Sequence, residues 1–132
     1  MRLYREWISK SARERHTRII FALDLDGAGP EKLHSKGKKL LESTLRSLCA
    51  LKVGRQTVLN VGTERTRRLI ELAHREDIPC IVDDKLSDIG PTNKAIAESY
   101  FRLGFDALTA SPLPGWIDGL QPLFETSSRD DV

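Results

Sequence analysis

Residues 78–93 hold the densest set of side chains able to do chemistry. Asp83, Asp84, Lys85 and Asp88 put four charges into six positions, directly behind the apolar run Cys80-Ile81-Val82. Two other charges stand in the same relation to apolar runs: Asp24 follows Ile19-Ile20-Phe21-Ala22-Leu23, and Lys52 lies within Cys49-Ala50-Leu51-Lys52-Val53-Gly54. On an extended backbone Asp83 and Lys85, two apart, project from one face. Asp24, Lys52, Asp83 and Lys85 thus form a set of alternating sign, and burying such a set requires that each charge be paired. It contains no serine or cysteine nucleophile and no cage for a metal. A lysine held between carboxylates stays protonated and can deliver a proton to a carbanion as it forms. A neighbouring aspartate crowds an anionic substrate group and favours its departure. The combination suits cofactor-free decarboxylation or proton transfer next to a carbonyl. The plainer readings are a solvated strand-to-helix loop, or a neutral salt-bridge cluster that only sets strand register. The cost of burying four charges favours a functional reason.

Those charges are useful only if the strands carrying them run parallel, so that their C-terminal ends meet on one face. The pattern predicts this. Residues 19–24, 49–54, 80–82 and 104–110 read as strands, and the first is apolar at nearly every position, as in strands buried on both faces of a parallel sheet. Amphipathic helices follow at about residues 30–46, 63–75, 94–103 and 116–125, with a short element near residues 57–60. Pro30 suits a first helical turn, Thr63 and Glu64 are start signals, and Thr92 or Asn93 can cap the third helix. The turn Gly27-Ala28-Gly29 lacks the full dinucleotide-binding glycine pattern. Residues 3–15 form a helical pattern with a narrow apolar face and read as a lid on the domain. The expected organisation is an N-terminal helix (residues 1–17), four βα units (residues 18–125) and a polar tail without packing pattern (residues 126–132). Such an order fits an open doubly wound sheet or half of a (β/α)8 barrel, whose full length is about 250 residues.

The 21 basic and 19 acidic side chains leave a net charge of +2 over 132 residues, which argues against a general nucleic-acid binder. No apolar stretch is long enough to span a membrane, and the first residues lack the apolar core of a secretory signal. Cys49 and Cys80, isolated among apolar residues, read as buried thiols of a reducing, cytoplasmic compartment. His16, His34 and His74 are scattered through charged helical patterns, so no metal site is expected.

Phe21-Ala22-Leu23-Asp24, Leu51-Lys52-Val53-Gly54 and Asp83-Asp84-Lys85-Leu86-Ser87-Asp88-Ile89-Gly90-Pro91-Thr92-Asn93 together resemble the orotidine 5′-phosphate decarboxylase family of the archaeal type. Gly104-Phe105-Asp106-Ala107-Leu108-Thr109 and Pro114-Gly115 continue the likeness, which covers residues 18–125. Its specific part is Asp-x-Lys-x-x-Asp-Ile-x-x-Thr with Lys52 also in place.

The resemblance implies an α/β fold of the (β/α)8 TIM-barrel family, here about half a barrel, and a homodimer that works without metal or cofactor. It implies conversion of orotidine 5′-phosphate to uridine 5′-phosphate and carbon dioxide, the last step of de novo pyrimidine synthesis. Lys85 matches the proton donor to the ring carbon, and Asp83 the carboxylate set against the leaving carboxylate. Asp24 and Lys52 match ribose contacts, Lys52 also belonging to the charged network. Asp88, Ile89 and Thr92 match residues lent across the dimer interface to the partner's site. The magnesium-dependent sugar-phosphate decarboxylases and synthases of the same suprafamily share the Asp-x-Lys-x-x-Asp core but carry an acidic residue where Lys52 stands. Against the family the sequence stops inside the fourth outer helix, short of the closing loop and the phosphate-gripping arginine. Two readings follow: the N-terminal half of the decarboxylase, or a truncated, catalytically inactive half-barrel that needs a second chain.

Overall fold

A computed structural model describes residues 3–27 and 29–129. Ala28 of the expected glycine turn, residues 1–2 of the N-terminal segment and residues 130–132 of the tail lie outside the described residues. The elements follow the order α1 (Tyr4–Glu14), β1 (Ile20–Leu23), α2 (Pro30–Thr44), β2 (Ala50–Gly54), α3 (Arg55–Val61), α4 (Thr63–Arg75), β3 (Cys80–Leu86), α5 (Gly90–Leu103), β4 (Ala107–Ala110) and α6 (Gln121–Arg129), the last entered through a π-helical turn at Trp116–Leu120. The four strands form one parallel sheet in the order β1-β2-β3-β4. All C-terminal strand ends therefore lie on one side.

The sheet forms because its central strands are apolar on both faces. Leu51, Val53, Cys80 and Val82 are fully buried and meet Leu33, Leu41, Leu69, Ile70 and Ile78 from the helices and loops around them. Complete burial of one such aliphatic side chain contributes roughly 1.5–3 kcal/mol. Gly37 lets α2 approach: a Cβ there would stand 2.9 Å from Leu25 Cδ1. At the N-terminal end of the sheet α1 is tied down by polar contacts. The Trp7 indole N–H donates to Asp77 O at 3.1 Å, and Arg15 donates to Leu45 O at 3.1 Å and to Glu76 O.

Several elements depart from their sequence-based outlines. β1 alternates in exposure instead of being buried on both faces, with Ile20 at 43% and Ile19 just before it at 59%, because it is an edge strand with no neighbour on one side among the described residues. β3 does not stop before the charges but runs through them to Leu86. β2 starts one residue later than its outline, at Ala50, and ends at Gly54 as expected. α5 starts at Gly90, with Ile89 as N-cap and Pro91 in the first turn. Neither Thr92 nor Asn93 caps it, since both already lie inside the helix. α6 reaches Arg129, into the stretch read as an unpacked tail. Thr126 is buried there, and its hydroxyl returns a hydrogen bond to Pro122 O at 2.8 Å. A threonine that satisfies its hydroxyl within the helix can pack like an apolar residue, which polarity alone hides.

Candidate active site

The C-terminal side of the sheet gathers charges from β2 and β3. Gly54 pairs with Asp83 in the ladder, so Lys52 starts two residues back, roughly 6–7 Å along the strand. Its side chain covers that distance, and Nζ donates to Asp83 Oδ2 at 2.8 Å. From the other direction Lys85 Nζ donates to Asp83 Oδ1 at 2.7 Å, as two residues on one face of a strand allow. Thr109 of β4 adds a hydroxyl donor to the same Oδ1 at 2.9 Å. Asp83 is thus an acceptor with both oxygens engaged, 14% exposed, between a Lys52 that is one-third exposed and a Lys85 that faces solvent.

The electrostatics follow from these contacts. The hydrogen bond from Lys52, then that from Lys85, holds the Asp83 carboxyl far below the usual carboxylate range despite its burial. Lys52 is in turn raised, first by its bond to Asp83 and in smaller part by the charge of Asp24. Asp83 therefore stabilises the fold fully above the pKa of a free aspartate, about 3.9, and this contribution fades as pH falls below that value toward its lower folded pKa. Lys52 has the opposite sign: its contribution is complete below about 10.4 and is lost as pH rises through its higher folded pKa. Carboxyl carbon NMR should find Asp83 still ionised at pH 3.5, where most free aspartate is protonated. In a Lys52→Ala chain its titration should move up toward the ordinary value, and an unmoved midpoint would contradict the pairing.

Lys85 has φ +56°, a left-handed conformation that costs a non-glycine residue roughly 1–2 kcal/mol. It arises where the β3–β4 register shifts between Val82 and Leu86. The odd member of the charged run points the other way. Asp84 is buried on the opposite face, with Arg55 Nη1 2.8 Å from its Oδ1 in a charge contact that is not an aligned hydrogen bond. Burial and Asp84 together push the Tyr100 phenol well up.

The structure joins three of the four alternating charges. Asp24 sits just beyond β1, and its Oδ1 accepts from Gln56 Nε2 at 2.9 Å; it enters no ion pair among the described residues. The backbone around it is held by buried Thr57, which donates to Leu23 O at 2.9 Å and accepts from Leu25 N at 2.7 Å. Gly54 leaves the space that this cluster uses, since a Cβ there would fall on Asp24 Oδ1 and on the Gln56 amide. Asp88 also stays out of the Lys52–Asp83–Lys85 network: its Oδ1 accepts from Ile89 N at 2.7 Å. The loop carrying Asp88 and Ile89 is clamped by fully buried Asn93, which accepts from Asp88 N and donates to Asp88 O and Gly119 O. Ile89 is 62% exposed beside this loop, and Trp116 and Ile117 of the next connection are exposed too. Thr57, Gln56, Asn93 and Thr109 escape a reading of charges. The available signal was a hydroxyl or amide inside or next to an otherwise apolar run.

At the opposite, N-terminal end of the strands, His74, Cys80 and Asp106 come within 4.8 Å of one another, although the histidines are scattered in sequence. Asp106 Oδ2 accepts from Cys80 N at 2.7 Å and lies 2.8 Å from His74 Nε2. Burial pushes the Cys80 thiol well up. The trio is a brace between α4, β3 and the start of β4.

Comparison with known proteins gives a consistent picture. The family model described as "Orotidine 5'-phosphate decarboxylase / HUMPS family" matches residues 17–131. The chain is 32% identical over 141 residues to an orotidine 5′-phosphate decarboxylase of Thermomicrobium roseum, covering 96% of this chain and 48% of that protein. It is 34% identical over 121 residues to one of Methanosarcina acetivorans, covering 90% and 49%. Among solved structures, the OMP decarboxylase of Leishmania donovani superposes with a TM-score of 0.76 at 26% identity, over 94% of this chain and 50% of that one. The UMP synthase of the same organism gives 0.78 at 26% identity, over 95% and 28%. The chain spans about half the length of the curated relatives it matches. Its four βα units correspond to half of a (β/α)8 barrel.

Proposed function

The chain belongs to the orotidine 5′-phosphate decarboxylase / HUMPS family, and on that premise we propose that it carries the proton-delivering half of a lyase converting orotidine 5′-phosphate to uridine 5′-phosphate and carbon dioxide. The observation that carries this reading is Asp83 held between two lysines. Asp83 stays ionised because of them, and stands against the substrate's carboxylate. Repulsion there raises the ground state and is relieved as the carbon–carbon bond breaks. The electron pair of that bond remains on the ring carbon, Lys85 Nζ supplies the proton that neutralises it, and carbon dioxide departs. Lys52 keeps the second oxygen of Asp83 in place and, with Asp24, meets the ribose hydroxyls.

The magnesium-dependent sugar-phosphate branch of the family fits less well. A divalent cation needs carboxylate oxygens free to coordinate it, whereas both Asp83 oxygens are engaged by ammonium groups and an amine occupies position 52. Asp88, Ile89 and Thr92 reach a partner's site in a homodimer, a role that the exposure of Ile89, Trp116 and Ile117 supports. Grip on the substrate phosphate comes from beyond the described residues, either farther along a longer chain or from a second polypeptide. Two buried free thiols suit a reducing, cytoplasmic setting.

The test uses the assembly that contains this chain and the remaining barrel strands. Given carboxyl-labelled orotidine 5′-phosphate in the presence of EDTA, it should release labelled carbon dioxide at an undiminished rate. No release, or cleavage of a sugar phosphate only when magnesium is restored, would refute the assignment.

A further inference from the structure

In the β3–β4 ladder Val82 pairs with Leu108 and Leu86 with Ala110, so four steps along β3 face two along β4. The surplus falls on the segment carrying Asp83 and Lys85, and Thr109 stands opposite it. There the Lys85 N–H donates to Thr109 Oγ1 at 2.9 Å. An amide nitrogen of this kind only donates, so the threonine oxygen is the acceptor in that contact and its own hydrogen is free for Asp83 Oδ1, also 2.9 Å away. The same Oδ1 receives the Lys85 ammonium at 2.7 Å. Backbone amide, hydroxyl, carboxylate and ammonium therefore close a ring that begins and ends on Lys85.

We propose that Thr109 is a positioning residue that locks the left-handed backbone of Lys85 and thereby keeps its ammonium on Asp83. The lysine needs such a hold because its side chain is 71% exposed, and water competes for the ammonium at every rotamer. A valine at position 109 would occupy the same volume but present a methyl group to both the amide and the carboxylate. The hydrogen bonds through the hydroxyl also polarise one another in sequence, N–H to O–H to carboxylate, which strengthens each of them. The catalytic consequence rests on the decarboxylase reading; the conformational claim does not.

The two parts are tested separately with Thr109→Val, Thr109→Ala and Thr109→Ser. In this chain, exchange of the Lys85 amide hydrogen should speed up about tenfold in both hydroxyl-free variants, as expected when one hydrogen-bond partner is lost, and stay within about threefold of the parent in Thr109→Ser. Global melting recorded on each variant separates this local effect from unfolding, and alanine serves if valine does not fold. In the complete enzyme, kcat should fall about tenfold or more in the valine and alanine variants at nearly constant KM, with serine restoring it. Unchanged exchange at Lys85 in both hydroxyl-free variants overturns the proposal, as does unchanged kcat. If the parent assembly releases no carbon dioxide, it is the decarboxylase reading that fails, and the exchange result still decides whether Thr109 holds Lys85.

Discussion

Replacing Lys85 by alanine should abolish turnover in the complete assembly while nucleotide binding persists. Among the described residues the Lys85 side chain supplies the ammonium that reaches Asp83 Oδ1 at 2.7 Å, and a positioned general acid is worth about 10²- to 10⁴-fold in rate. The actual loss should exceed the lower figure, because in the decarboxylase reading the proton must arrive as charge builds on the ring, and a solvent proton would not be held at that point. The substitution is clean in one respect. Alanine at φ +56° is as strained as the lysine it replaces, so the backbone gains no new preference. Lys52 still holds Asp83 Oδ2, which keeps the site's other half in place. The measurements are carbon dioxide release and calorimetric binding of the product nucleotide. Near-normal turnover would mean that another group delivers the proton.

An Asp83→Asn assembly should lose turnover by roughly 10²- to 10³-fold, the scale seen when one preorganised electrostatic contact is removed. Asparagine keeps the shape and an acceptor oxygen, so Thr109 can still donate and the backbone at Lys85 is held. What disappears is the charge that separates two ammonium groups and that, in the proposed reaction, faces the substrate carboxylate. The substrate should then bind at least as well as before while reacting far more slowly, the pattern of relieved ground-state repulsion. A second readout needs no substrate. Lys52 owes its raised pKa first to Asp83, so nitrogen NMR of its ammonium should find the titration moved down in the variant. A Lys52 that titrates as before would show that the pair seen here does not exist in solution.

These results would bear on chemistry that was partly written in the chain. Apolar runs recurring between amphipathic segments required parallel strands with helical crossovers, because each run was too greasy for one face of an antiparallel sheet. The period of two placed Asp83 and Lys85 together, and the sign alternation with Lys52 called for pairing. Those features are local in sequence or follow from topology, so they could be read without coordinates. Asp24 illustrates the limit: its position at a strand end was legible, but its hydrogen-bond partner is Gln56, because Lys52 on the neighbouring β2 reaches the other way, to Asp83 of β3.

The remainder belonged to the tertiary structure alone. No local pattern announces that β3 shifts register against β4, that Lys85 turns left-handed there, or that the hydroxyl of Thr109, 24 residues later in the chain, takes up the amide. The same holds for Asn93, expected at a helix cap and found clamping two loops, and for His74, Cys80 and Asp106 converging at the far end of the strands. Hydrogen bonds from uncharged side chains depend on ångström-scale distances between elements remote in sequence. Hydrophobic periodicity decides which elements pack; the packing then decides which hydroxyls and amides are within reach.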